Sequence, residues 1–116
     1  MVSLETAMGT IRYNEEIIAK IAGIAAESCY GIVGMSAKKA SDGIFELLNR
    51  ENYSKGIKVT VSPDHGLVID MYVVVEYEVP MAEVAASAID AVKYQVESTT
   101  GLKVEQVNVI VENVRV

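Results

Sequence analysis

Tryptophan is absent from this chain; phenylalanine, cysteine and histidine occur once each, and proline twice. The single cysteine, Cys29, excludes an internal disulfide, so the fold must rest on its hydrophobic core, and a reducing compartment suits it. The single histidine, His65, excludes the multi-histidine ligand spacings of zinc sites. No apolar run approaches the roughly 20 residues of a spanning helix. The opening residues Met1 to Thr6 lack a basic stretch followed by an apolar one, so no signal peptide is expected. Basic residues are the minority, ten Lys and Arg against sixteen Asp and Glu, for a net charge of −6. Such a surface repels phosphate backbones and anionic lipid, so neither nucleic-acid binding nor direct membrane insertion is expected.

What is abundant is aliphatic. Apolar residues make up 51% of the 116 positions and charged residues 22%, a globular composition that predicts one domain over residues 1–116. Val, Ile, Ala and Tyr must supply the packing. A chain of this length buries roughly two-thirds of its unfolded surface, enough for one core without metal.

Period and punctuation predict the elements. Gly9 to Tyr13 reads as a short strand with Ile11 and Tyr13 on one face. Asn14 is a candidate N-cap, followed by Glu15 and Glu16 in a first turn. Ile17, Ile21, Ile24 and Ser28 recur at helical spacing, widened by Ile18, Ala22 and Ala25, and Gly31 suits a left-handed stop. Ile32-Val33 predicts a strand, and Ser41 can cap a short helix through Ile44, Phe45, Leu47 and Leu48. Ile57 to Val61 and Leu67 to Tyr77 alternate around the turn chemistry of Pro63-Asp64-His65-Gly66, which predicts a hairpin. Pro80 can open a second long helix with a stripe at Ala85, Ile89, Val92 and Val96, ended by Gly101. A last strand from about Lys103 to Val114 turns Val107, Val109 and Val111 to one side. The expected order is β-α-β-(α)-β-β-α-β. It describes an α+β domain with one mixed, largely antiparallel sheet and two long helices packed on one face.

Read in order, these pieces resemble the bacterial alkaline-shock, envelope-stress-response family, in its YloU-like branch. The resemblance is carried by Gly9-Thr10-Ile11, by the helix Ile17 to Ala25 and by Gly31-Ile32-Val33-Gly34-Met35. It continues through Lys55 to Val59, Ile69 to Tyr77, Thr100 to Val104 and Val107-Asn108-Val109, and so covers nearly the whole chain. One departure is Glu78, where members often have Gly after the tyrosine of the long strand. The resemblance implies a cytoplasmic, non-enzymatic protein of envelope homeostasis; some members of the family self-associate and are held near the membrane by a separate membrane-anchored partner. It brings no catalytic residue, metal or cofactor.

The residues themselves offer little chemistry. His65 lies between Asp64 and Gly66 in a turn, without a nucleophile or second ligand at useful spacing. Cys29 falls at a helix C-terminus, which disfavours a thiolate. Asp70 interrupts an apolar strand and is expected to pair across to Lys58. Glu76 and Glu78 share a face, but two carboxylates alone make a weak cation site. Gly31-Ile32-Val33-Gly34 has the Gly-x-x-Gly form that KH domains use to clamp RNA, which makes a KH-like RNA binder the alternative reading. Its middle residues are apolar, however, and basic residues arrive only at Lys38-Lys39.

The remaining signal is a surface. If both helices cover one face of the sheet, the other carries Gln106, Asn108, Ile110 and Glu112 beside Tyr72 and Val74. That half-apolar face is the candidate protein-interaction site, with a second copy of the chain and a protein partner as its occupants. Residues 36–54 are the alternative cover for it.

Overall fold

The computed structural model describes residues 1–36 and 56–116. They form β1 (Val2–Thr6), β2 (Gly9–Tyr13), α1 (Glu15–Glu27), β3 (Ile32–Met35), β4 (Ile57–Val61), β5 (Leu67–Glu76), α2 (Met81–Thr100) and β6 (Val104–Arg115). The short helix expected from Ser41 lies outside the described residues.

Strand β5 organises the rest. Its alternation of Leu67, Ile69, Met71, Val73 and Val75 with Val68, Asp70, Tyr72, Val74 and Glu76 buries the first set and leaves the second half-exposed. Both of its backbone edges are paired. Strand β6 runs parallel to it along the full length, a pairing that needs a crossover, and α2 supplies one. The opposite edge is shared end to end by two antiparallel strands, β4 against Leu67 to Met71 and β3 against Val73 to Val75. Tyr72 sits at their junction, where its N–H donates to the Gly56 carbonyl and its carbonyl accepts from the Ser36 N–H, both at 2.7 Å. Gly56 has φ +74°, and a Cβ there would collide with the Ser36 carbonyl, so this close approach requires glycine. The result is the expected α+β class with a mixed sheet.

Both helices lie on the Ile69–Met71–Val73 side and pack against each other, as expected. They run in opposite directions. Tyr13, just before α1, reaches Thr100 at the end of α2, while Gly31, just after α1, packs against Val84 near the start of α2. In α1 the Asn14 side chain accepts from the Glu16 N–H at 2.9 Å and caps the helix. The buried stripe is rotated from the expected one. Ile18, Ala19, Ala22, Gly23, Ala25 and Ala26 face inward, while Ile17 and Ile24 are 48% and 55% exposed. Helix α1 is wedged against β3, β4 and α2 together, and only the alanine-rich side permits that approach. In α2 the buried column is Val84, Ala88, Val92, Val96 and Thr100; Ala85 and Ile89 are half-buried. Pro80 is the N-cap residue and not the first helical position.

Two further expectations are corrected. The strand Gly9–Tyr13 does not join the main sheet; it pairs with β1 as a separate hairpin, Val2 opposite Tyr13 and Thr6 opposite Gly9. Strand β1 holds only two apolar residues at alternate places, too few to be read as a pattern. The hairpin is fastened at its open end, where Val2 is buried and the Tyr13 hydroxyl donates to the Thr100 carbonyl at 2.7 Å. The valine alternation of β6 is also broken, by register shifts at Glu105 and Glu112. After the second shift Val114, and not a continuation of Val107, Val109 and Val111, returns to the core side, opposite Val75. Each shift is a β-bulge, which adds a residue to one strand and increases the twist.

The departure at Glu78 falls at a left-handed position. Glu78 adopts φ +74°, the left-handed conformation glycine would take without strain. A non-glycine residue there costs about 1–2 kcal/mol. Glu78→Gly should therefore raise folding stability by about 0.5–1 kcal/mol in urea unfolding, the looser unfolded chain offsetting part of the gain. Gly56→Ala should lower stability by about 2 kcal/mol or more in the same measurement, because strain and a backbone collision add.

Candidate interaction surface

The outward face of the sheet is built in rows. Thr60, Val68 and Gln106 lie side by side across β4, β5 and β6, followed by Lys58, Asp70 and Asn108. Tyr72 stands next to Ile110, Val74 next to Asn113, and Glu76 next to Arg115. None of these belongs to the core cluster, and the helices occupy the opposite side of the sheet.

The rows differ in chemistry. Gln106 Nε2 donates to Asn108 Oδ1 at 2.9 Å, and Asn108 Nδ2 donates to Asp70 Oδ1 at 2.7 Å. Asp70 therefore takes an amide partner on β6, although Lys58 stands in register beside it as expected. At the far end Arg115 forks onto Glu76, Nε to Oε1 at 3.0 Å and Nη2 to Oε2 at 3.1 Å. This planar, two-bond geometry fixes Arg115, though exposure keeps its contribution to stability small. Between amide ladder and ion pair lie Tyr72, Ile110 and Val74, an apolar band with polar ends.

Five of the six candidate residues share this face: Gln106, Asn108, Ile110, Tyr72 and Val74. Glu112 does not take its expected place. It sits in the bulge, and Asn113 stands opposite Val74 instead. Asn113 and Arg115 were missed for the same reason, since strict alternation cannot register an inserted residue. The outer edge of β6 extends the surface, because β5 is its pairing neighbour on the inner side among the described residues.

The other candidates are placed as follows. His65 is exposed in the β4–β5 turn at φ +69°, its N–H donating to the Ser62 carbonyl at 2.9 Å. It fills the left-handed position of a three-residue hairpin loop. Cys29 is half-buried with Sγ directed at the Ala25 carbonyl, 3.4 Å away, and burial raises its thiol pKa, so it stays protonated at neutral pH. Glu76 is committed to Arg115, and among the described residues no three acidic, His or Cys side chains gather as a metal site. Gly31 to Gly34 is not a loop between helices. Gly31, at φ +91°, packs on Val84, and the chain passes directly into β3. No described helix is long and apolar enough to cross a membrane.

Fold order and this surface together define a small α+β domain that shows an open sheet face among its described residues. The chain belongs to the family of alkaline shock protein 23, described as having a cell envelope-related function, whose model matches residues 3–116. Within it the chain falls in the YloU-like branch. It is 44% identical over 116 residues to YloU of Bacillus subtilis strain 168, covering 99% of this chain and 96% of that protein. Identity to Spy1614 of Streptococcus pyogenes serotype M6 is 39%, covering 99% and 95%. A stress response regulator gls24 homolog of Streptococcus pyogenes serotype M3 is 28% identical, covering 92% of this chain and 59% of that protein. No solved structure matches.

The amide ladder makes a pH-dependent prediction. Asn108→Asp sets a second carboxylate against Asp70, and two close like charges favour a shared proton. The pair's folded pKa then rises above its unfolded value, so the variant should be destabilised at pH 7 and recover as pH falls towards about 4. Asn108→Ala should lose about 1 kcal/mol with no such recovery. Urea midpoints at about pH 7 and about pH 4.5, either side of the shifted titration, separate the two.

Proposed function

We propose that this protein serves the cell envelope without catalysing a reaction, by binding copies of itself and a membrane-anchored protein partner through the outward sheet face and the β6 edge. The observation that carries this reading is the band of Tyr72, Ile110 and Val74 on a sheet face that, among the described residues, neither α1 nor α2 covers. Its borders suit a protein interface: amides can bond across it without burying a charge, and the apolar band supplies the driving force. The β6 edge contains no proline, and its two bulges, each at a glutamate, limit uncontrolled strand stacking. With a net charge of −6, attraction to anionic lipid is weak, so a separate anchored partner is the route to the membrane and the cytoplasm is the expected compartment. The name of the gls24 relatives, stress response regulator, fits the same role. The non-catalytic reading is supported by an exposed His65 in a turn and a Cys29 thiol held protonated.

Ile110→Lys tests it. The side chain points away from the core, beside Tyr72, so the fold should survive by circular dichroism. Sedimentation across a concentration series should show association of the wild type and at least a tenfold weaker association of the variant. A wild type that stays monomeric to near-millimolar concentration, or a variant that associates equally well, would sink the reading. Single-stranded RNA is the control ligand. Negligible binding is expected at physiological salt, and salt-sensitive micromolar binding lost in a Lys38→Glu, Lys39→Glu double variant would favour the RNA-binding alternative.

A further inference from the structure

Helix α1 carries two apolar stripes; the core buries one and takes only Ile21 from the other. Ile18, Ala22, Ala25 and Ala26 point inward, while Ile17, Ile21 and Ile24 recur at intervals of four and three on the adjoining side. That is the interval of a helix–helix seam. Ile17 and Ile24 remain about half exposed. Across from them, α2 presents Ala91, Gln95 and Tyr94, the tyrosine 68% exposed. Between the two helices runs a groove of about 430 Å³ whose lining is uncharged.

Three features decide what fills this groove. It lies open along the helix pair, whereas sites for small molecules enclose roughly 70–90% of a ligand, as a general rule. Its seam spacing calls for a helix. The isoleucine row itself is uncharged, so a second copy of the same row can meet it without setting like charges together. A copy of α1 laid antiparallel about a two-fold axis brings Ile21 against Ile24 of the second copy. The same contact repeats by symmetry.

We propose that the α1–α2 groove docks α1 of a second copy, forming an isologous interface on the side of the molecule opposite the sheet face. The available area makes this contact weak. Helix α1 is roughly 20 Å long and two packed helices are about 20 Å across, so each copy offers on the order of 400–500 Å². The total, close to about 1,000 Å², stands at the lower limit of a specific interface, so association depends on concentration.

This interface is independent of the sheet face, and one set of variants separates the two. Sedimentation of the wild type, Ile24→Lys, Tyr94→Glu and Ile110→Lys is run across concentration, with circular dichroism as the folding control. Ile24→Lys and Tyr94→Glu should each weaken association at least tenfold, and either should add to the effect of Ile110→Lys. Two groove walls are tested, so misfolding of one variant leaves the other to decide. Folded groove variants that associate as the wild type does would overturn this proposal whatever Ile110→Lys does. Loss of association in the groove variants with none in Ile110→Lys would sustain the groove and remove the sheet-face reading.

Discussion

Strand β5 has both backbone edges paired and one face dry, and that constraint propagates outward. Its partner β6 runs parallel, so the chain must return to the starting end before β6 can form. Helix α2 makes that return in 20 residues, about 30 Å, which matches the roughly 33 Å of a ten-residue strand. Once α2 lies over the sheet, the remaining dry surface is closed by α1, whose alanines allow it to touch strands and helix at once. The alternation that seals the core also composes the outward face. A slip of one residue in β5 would exchange Met71 for Tyr72 and ruin both.

Much of this was legible because it follows from period and punctuation. The strict alternation of β5, the turn at Pro63 to Gly66, the Asn14 cap and the Gly101 stop each have a local physical cause. The order of the described elements from α1 onward and the placement of both long helices followed from them. What stayed hidden depends on contacts between distant parts. The rotation of α1 depends on how closely a sheet and a second helix approach it, and two stripes of comparable apolarity compete for that space. The N-terminal hairpin is held by Val2 and by a hydroxyl reaching Thr100, a contact 87 positions apart in the chain.

The make-up of the outward sheet face was read nearly whole, since it is the complement of the buried set. Its errors are confined to the end of β6, where the bulge at Glu112 shifts every later residue by one place. The helical groove was missed for an instructive reason. Ile17 and Ile24 are residues that periodicity assigns to a core, and their exposure is visible only once the alanine face has been seen to occupy it. An apolar stripe in excess of what the core can accommodate is itself a signal of a further contact.

The end-to-end arrangement of β3 and β4 has an architectural consequence. Ser36 and Gly56 both bond to one residue, Tyr72, so the sheet registers them as neighbours in a single broken line. Whatever connects them begins and ends at the same spot. As a general rule, doubling the length of a loop costs only about 0.6 kcal/mol more to close. The junction therefore fixes both ends of the intervening sequence at one point of the sheet, so its length enters only weakly into the closure of that loop.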